Sequence, residues 1–159
     1  MTYKHTKTLD TSKDFILPCR KESLDAIKEF LPIEKLDFDG SFLTYQLLYG
    51  KNSNRIYLIG LGEDKHSVKL EETFRKLGFD TQMHWEKSIQ VYAEDLNEDE
   101  IRKAVIGLEM AQYAIGEFKS EKEKQNKTAV SFSSTKTIKK LLDEGRYTGE
   151  TINKIKALV

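Results

Sequence analysis

The sequence is poor in cysteine, proline and histidine, and neither sign of charge is in excess. Its 159 residues include one cysteine, two prolines and three histidines, while 26 lysines and arginines balance 26 acidic residues. One cysteine excludes an internal disulfide bond and every zinc or iron–sulfur site built from several cysteines. The zero net charge leaves no overall positive field to attract a nucleic-acid backbone, so we do not expect nucleic acid as a partner.

The sequence also lacks long apolar runs. The N-terminal segment Met1–Lys7 leads into polar sequence without the apolar centre of a signal peptide, and no segment is long enough to cross a bilayer. Hydrophobic residues still make up 38% of the chain, which is enough for a folded core in a polypeptide of about one domain. We therefore expect a cytoplasmic protein with one core and no membrane contact.

Strand-like and helix-like segments alternate along the chain. Predicted strands cover Asp14–Cys19, Ser41–Tyr49, Arg55–Ile59, Lys87–Ala93 and Thr128–Phe132. Predicted helices cover Glu22–Leu31, Ser67–Leu77, Asn97–Phe118, Thr135–Leu142 and Thr148–Val159. The link between Tyr49 and Arg55 is too short for a parallel crossover and predicts a hairpin. The pattern predicts an α/β fold of three layers, with a central mixed sheet flanked by helices.

Local signals set the predicted ends of these segments. Pro18 cannot donate to a strand ladder and predicts the end of the first strand, while Gly78 and Gly145 are predicted as helix C-caps. Asn97 and Glu100 have the spacing of a capping box. The last predicted helix runs to the end of the sequence without a stop signal, so we expect the native polypeptide to continue.

The turn Gly60-Leu61-Gly62 is the nearest match to a phosphate-binding loop. It lies between a predicted strand and a predicted helix, where backbone amides can bind an anion. It lacks the third glycine of a dinucleotide fingerprint and the lysine of a P-loop, and the acidic Glu63 and Asp64 follow it. We interpret it as an ordinary tight turn.

The other chemistry-bearing residues are scattered. No histidine among His5, His66 and His84 has another histidine or cysteine three or four residues away, as a helical metal site requires. Cys19 is interpreted as a buried structural thiol, Trp85 as a residue of the sheet margin, and the mixed charges of 121–124 as solvated. Asp143 and Glu144 would point about 100° apart on a helix and could not share one ion. We assign no catalytic, cofactor-binding or metal-binding residue.

Three segments, taken in order, resemble the N-terminal domain of the leucyl (cytosol) aminopeptidase family. Arg55–Glu63 is similar to the family's strand that ends in a Gly-Leu-Gly turn. Val105–Ser120 is similar to its glycine-containing helix that runs into Tyr or Phe and then Lys-Ser, and Gly149–Val159 resembles the helix that leads into the catalytic domain. The resemblance covers residues 55–159 by motif and the rest by strand order.

This resemblance implies a domain similar to macro domains over residues 1–147, with residues 148–159 starting the helix that links it to a missing C-terminal catalytic domain. It implies that the parent removes N-terminal amino acids from peptides with two divalent metal ions, zinc or manganese, and assembles as a hexamer. The family's metal-binding motifs have no equivalent here, so this chain alone is expected to be inert. Its partners would be its own catalytic domain and the sister subunits, and it would meet peptide substrate only through the parent enzyme.

Two other classes of function remain open. A stand-alone macro-like module that binds a nucleotide or ADP-ribose would need a phosphate-accepting loop near Gly60 and Gly62. A nucleic-acid-binding domain would need a clustered basic face in spite of the zero net charge. The leading expectation is an accessory domain that serves the assembly or the shielding of an aminopeptidase active site.

Overall fold

The computed structural model of the chain describes residues 1–27, 31, 36–63, 69–116 and 128–157. The strands in these ranges are β1 (Thr2–Thr6), β2 (Phe15–Arg20), β3 (Tyr45–Tyr49), β4 (Arg55–Gly62), β5 (Ser88–Tyr92) and β6 (Ala129–Ser133). The helices are α1 (Leu24–Ile27), α2 (Leu70–Thr81), α3 (Glu98–Gly116) and α4 (Lys139–Lys156). Short 3-10 turns at Lys21–Ser23 and Gln82–His84 precede α1 and follow α2.

The strands form one six-stranded sheet in the order β1-β6-β5-β2-β4-β3. Every neighbouring pair is parallel except β3 and β4, which are antiparallel and joined by the short turn at Gly50–Asn54. The predicted hairpin and the predicted mixed sheet are therefore confirmed. The strand β2 continues past Pro18 to Arg20, but its pairing with β5 covers only Phe15 and Ile16, so Pro18 lies beyond that ladder.

Apolar side chains cover both faces of the sheet and give the predicted three layers. On one face α2, α3 and α4 lie side by side over a core that contains Ile16, Phe74, Leu108 and Phe132, all almost fully buried. On the other face the strands pack against a smaller cluster that includes Ile27 of α1. A sheet that is apolar on both sides requires cover on both sides, which explains the strongly apolar β2 and β4.

Two glycines predicted as helix ends lie inside helices instead. Gly78 is in α2, and Gly145 is in α4, which is one helix in place of the two that were predicted. A Cβ atom on Gly78 would stand 2.9 Å from the Cβ of Ala111, and one on Gly145 would stand 2.8 Å from the Cβ of Val105. These glycines let neighbouring helices approach closely, and that need outweighs the cost of glycine in a helix.

The strand β1 was not predicted from the sequence, and the other differences concern the ends of elements. β3 begins at Tyr45 instead of Ser41, because positive φ angles at Gly40 and Leu43 turn the chain before it. The first predicted helix is a 3-10 turn followed by α1, and its continuation at residues 28–30 lies outside the described residues. Residues 64–68, 117–127 and 158–159, with the predicted start of α2 and the charged stretch, also lie outside them. The capping box is confirmed.

Candidate functional site

The carboxyl ends of the five parallel strands lie along one edge of the sheet. In open α/β sheets this edge is where ligands usually bind, next to the point at which the strand order reverses. Here that point is at β2, which is flanked by β4 and β5. Arg20 ends β2 and Gly62 ends β4, so the side chains and loops around these two residues define the first candidate site.

The positive charge of Arg20 is paired with the carboxylate of Glu100. Its Nη2 atom lies 2.7 Å from both carboxylate oxygens of Glu100, and the Glu100 side chain is only 4% exposed. Glu100 also closes the capping box of α3, because its Oε2 accepts the backbone N–H of Asn97 and its own N–H donates to the Asn97 side chain. This ion pair therefore ties β2 to the start of α3, and the charge of Arg20 is already paired within the protein.

The glycine turn at the end of β4 is already saturated with internal contacts. The amide of Gly62 donates to the carbonyl of Gly40 at 2.8 Å, and the amide of Gly60 donates to the carbonyl of Thr44 at 3.0 Å. A Cβ atom on Gly62 would stand 2.5 Å from the ring of Phe42, so that ring covers the turn. A phosphate nest needs free amides, and these two are in use. Gly60, Leu61 and Gly62 are the last three residues of β4, so the segment is strand where an ordinary tight turn was predicted.

A shallow depression remains beside this turn. It encloses about 230 Å³ and is lined by Lys21, Ser41, Phe42, Gly62 and Glu63. Its one basic and one acidic side chain offset each other, so the depression has no net preference for an anion or a cation. The nearby Asp39 accepts hydrogen bonds from the hydroxyl and the amide of Ser41, and these bonds lower the pKa of Asp39. Its carboxylate thus holds the loop in place.

A larger groove lies at the opposite, amino edge of the sheet. It encloses about 1000 Å³, and its walls include Asp14, Tyr49, Arg55, Met83 and Trp85. Arg55 lies 3.6 Å from the Asp14 carboxylate and donates to the carbonyl of His84 at 3.0 Å, so its charge is used within the protein. Tyr49 and Met83 stand exposed on the rim, and their side chains give the groove an apolar border.

The residues singled out from the sequence do not come together. Cys19 is fully buried, its Sγ donates to the carbonyl of Leu17, and burial raises its pKa to about 12. His5 donates from Nε2 to the carbonyl of Ser134 at 2.8 Å, while the His84 side chain is exposed at the other end of the sheet. Trp85 is 3% exposed and lies in the core three residues before β5, so it is more deeply buried than the partly buried place at the sheet margin that was predicted. His66 and residues 121–124 lie outside the described part of the chain.

Asp143 and Glu144, the two adjacent acidic residues of α4, do not share a site. Glu144 accepts a 2.6 Å hydrogen bond from Nε of Arg102 on α3, and that bond lowers the pKa of Glu144. Asp143 is exposed and turned away from this contact. Over the described residues, no group of three histidine, cysteine, aspartate or glutamate side chains could hold a metal ion. The donor set found there does not fit a two-metal peptidase centre.

Sequence reasoning missed the Arg20–Glu100 pair and the closure of the glycine turn by Phe42. Arg20 and Glu100 are 80 residues apart, and no local pattern links the end of one strand to a helix cap. None of the helices in the described ranges is long and apolar enough to span a membrane.

Comparison with known proteins supports the fold. No protein-family model matches the chain, and no curated protein matches it. Among solved structures, a mutant of tomato leucine aminopeptidase matches 97% of this chain with a TM-score of 0.68 and 15% identity. The bottromycin maturation enzyme BotP matches 89% with a TM-score of 0.62 and 10% identity, and BotP in complex with Mn matches with a TM-score of 0.61 and 8% identity.

The chain spans only part of these neighbours, covering 36% of the tomato enzyme and 30% and 31% of the two BotP structures. The resemblance drawn from the sequence is thus confirmed for the fold: this α/β domain has the architecture of a part of leucine aminopeptidase.

Proposed function

We propose that this chain is the non-catalytic N-terminal domain of a metal-dependent leucyl aminopeptidase that removes N-terminal amino acids from peptides. The observation that carries the proposal is the match of 97% of this chain to 36% of the tomato leucine aminopeptidase. On this proposal residues 1–147 form the macro-like domain and residues 148–159 lead to the catalytic domain, although the helix that carries this boundary, α4, already begins at Lys139. The parent enzyme would be cytoplasmic.

The geometry of the carboxyl edge supports an accessory role. Arg20 is engaged by Glu100, the amides of Gly60 and Gly62 are engaged by backbone carbonyls, and Phe42 covers the turn. Each contact holds one element of the domain against another. The same contacts leave the alternative of a nucleotide or ADP-ribose module without the phosphate-accepting loop that it needs.

The metal ions would belong to the catalytic part of the parent. One of the structural neighbours was solved in complex with Mn, and the described residues of this chain hold no matching cluster of ligands. We therefore place both divalent ions, zinc or manganese, in the catalytic domain. The role left to this chain is to aid assembly into the hexamer, through its own catalytic domain and the sister subunits, or to shield the active site.

Removal of the domain from the parent separates these two roles. The extended polypeptide and a version without residues 1–147 are compared by light scattering and by hydrolysis of a leucyl amide and of longer leucyl peptides. An assembly role predicts smaller particles with reduced activity on every substrate. A shielding role predicts intact particles that gain activity on the longer peptides. Unchanged particles with unchanged rates on all substrates would contradict the accessory function.

A further inference from the structure

The strand β3 forms one edge of the sheet, and its outer side has no partner strand among the described residues. Its register with β4 pairs Tyr45 with Ile59 and Tyr49 with Arg55. The amide of Gly60 donates to Thr44, and the amide of Gly50 donates to Asn54, so the residues at even positions bond inward. Because bonding alternates in an antiparallel pair, the backbone N–H and C=O groups of Tyr45, Leu47 and Tyr49 point outward.

The side chains of these three residues share the sheet face that α2 covers. Tyr45 packs against the core on that side, where the Lys76 ammonium lies 5.2 Å from its ring centre, and Leu48 packs on the opposite face. Side chains alternate along a strand, so Leu47 and Tyr49 lie on the face of Tyr45. Leu47 is 37% exposed and Tyr49 is 66% exposed.

Two further apolar side chains extend this surface. Phe79 is 51% exposed and Met83 is 77% exposed. Phe79 follows Lys76 by three residues in α2, which places it on the same side of the helix as the lysine that contacts Tyr45. Met83 and Tyr49 also line the same groove. We call Tyr45, Leu47, Tyr49, Phe79 and Met83 the β3 edge surface.

The β3 edge lacks the features that normally prevent an edge strand from pairing with another chain. Natural edge strands are protected by charged side chains, by proline or by bulges. No charged residue and no proline occurs between Asp39 and Lys51, whereas β1, at the other edge, contains Lys4. A strand without charged side chains, whose outward backbone groups have no partner strand in the described ranges, is a template for a further strand.

We propose that the β3 edge surface binds a second copy of this chain, by antiparallel pairing of the two β3 strands about a two-fold axis at Leu47. The residues of β3 whose backbone groups point outward are Tyr45, Leu47 and Tyr49, and this order of residue types is the same in both directions. A two-fold axis at Leu47 therefore places Leu47 opposite Leu47 and Tyr45 opposite Tyr49. Cross-strand pairs of aromatic and aliphatic side chains stabilise such a ladder.

Charge favours a second copy over a charged partner. The strand offers no charge to attract an acidic or a basic peptide, and the chain has zero net charge, so two copies approach without long-range repulsion. The two-fold pairing joins two six-stranded sheets into one of twelve strands. Because each β3 is short, we expect a dissociation constant on the order of 10 µM. The inference concerns the chain itself and does not rest on the proposed function.

The test is the oligomeric state of the 159-residue chain, measured by sedimentation velocity over about a hundredfold range of concentration. The wild-type chain is expected to shift from monomer to dimer. Leu47→Lys and Leu47→Glu each place like charges on the axis and are expected to raise the dissociation constant at least about tenfold. An equimolar mixture of the two variants pairs opposite charges and is expected to restore a dimer.

Controls separate this surface from others. Ile155→Lys makes the same kind of change at an exposed position of α4, which contacts β1 at the far side of the sheet, and is expected to leave the dimer unchanged. Thermal unfolding of each variant checks the fold. Amide hydrogen exchange should slow at Tyr45, Leu47 and Tyr49 only at concentrations that give the dimer.

Three results would overturn the proposal. The first is a wild-type chain that stays monomeric throughout. The second is a dimer that Leu47→Lys does not weaken, or a mixture of variants that pairs no better than either alone. The third is protection of the outward amides only when downstream polypeptide is attached, which would make that polypeptide the occupant of the edge.

Discussion

Single residues in this domain mostly act as links between elements. Arg20 and Glu100 connect the end of β2 to the cap of α3, and Glu144 connects α4 to Arg102 on α3. The first pair is largely buried, with side chains 17% and 4% exposed, whereas the Glu144 side chain is 39% exposed. A charge left without its partner costs much more in a buried site than in an exposed one, so the two pairs should differ in their effect on stability.

Glu100→Gln tests the buried pair. Glutamine keeps an acceptor for the capping box but removes the charge that Arg20 requires, so we expect the free energy of unfolding to fall by about 2 kcal/mol. Glu144→Gln is the matched control and should lower the free energy of unfolding less, because the Glu144 carboxylate is exposed to solvent. Urea denaturation of the three proteins gives both values. Equal losses in the two variants would mean that the Arg20–Glu100 pair does not stabilise the fold.

The buried thiol of Cys19 makes the stability of the fold decrease at alkaline pH. Burial raises the pKa of its thiol from 9.0 to about 12, so the folded chain holds this proton more tightly than the unfolded chain. Stability is therefore full below pH 9 and is lost as the pH rises toward 12. From pH 8 to pH 10.5 the wild-type chain should lose about 2 kcal/mol more than Cys19→Ala.

Comparing how the stability of the wild-type chain and of Cys19→Ala changes with pH isolates the contribution of the thiol. Burial also raises the pKa of Tyr3 and of Tyr57, and both tyrosines are present in the two proteins, so their contribution cancels. Denaturant titrations at a series of pH values give the two profiles. Parallel profiles would show that the thiol titrates alike in the folded and the unfolded chain.

At the scale of elements, local signals predicted what depends on neighbours in sequence. The Asn97–Glu100 capping box and the turn at Gly50–Asn54 are each formed by residues a few positions apart in the sequence. The structure contains both. Gly145 gave a wrong prediction because glycine is suited both to helix ends and to close helix contacts. The close approach of Val105 on α3 shows that Gly145 serves a helix contact and not a helix end. That approach is a tertiary contact and cannot be read from neighbouring residues in the sequence.

The same limit applies to the candidate site. The sequence placed Gly60 and Gly62 between a strand and a helix, which could suit a phosphate. The partners that occupy their amides are the carbonyls of Thr44 and Gly40, which come from a turn that precedes the strand. The positive φ at Gly40 fits the Asp39-Gly40 turn signal, but the positive φ at Leu43 has no signature in the sequence, and the pairing of this turn with β4 is a tertiary contact.

Gly145→Ala tests the helix contact. A Cβ atom there would stand 2.8 Å from the Cβ of Val105 and 2.9 Å from the carbonyl oxygen of Arg102. Overpacking should outweigh the gain in helix propensity and lower the free energy of unfolding by about 1–2 kcal/mol. Thr148→Ala, at an exposed position of the same helix, should be neutral or slightly stabilising. Gly145→Ala that matches this control in stability would contradict close packing of α3 and α4.

At the scale of the whole molecule, the described residues form a six-stranded sheet with apolar clusters on both faces. Its architecture accounts for 36% of the tomato leucine aminopeptidase. The domain has a core of its own, and its carboxyl edge is engaged in internal contacts. These features are consistent with the accessory role proposed above, in which a separate domain supplies the catalytic residues.

The most direct measurement is hydrolysis of a leucyl amide in the presence of manganese or zinc, by the 159-residue chain and by the same chain extended through its downstream coding sequence. The account predicts hydrolysis by the extended polypeptide and none by the chain alone with either metal. Metal-dependent hydrolysis by the chain alone, or an extended polypeptide that is inactive with both metals, would contradict the assignment of this domain to an aminopeptidase as its accessory part.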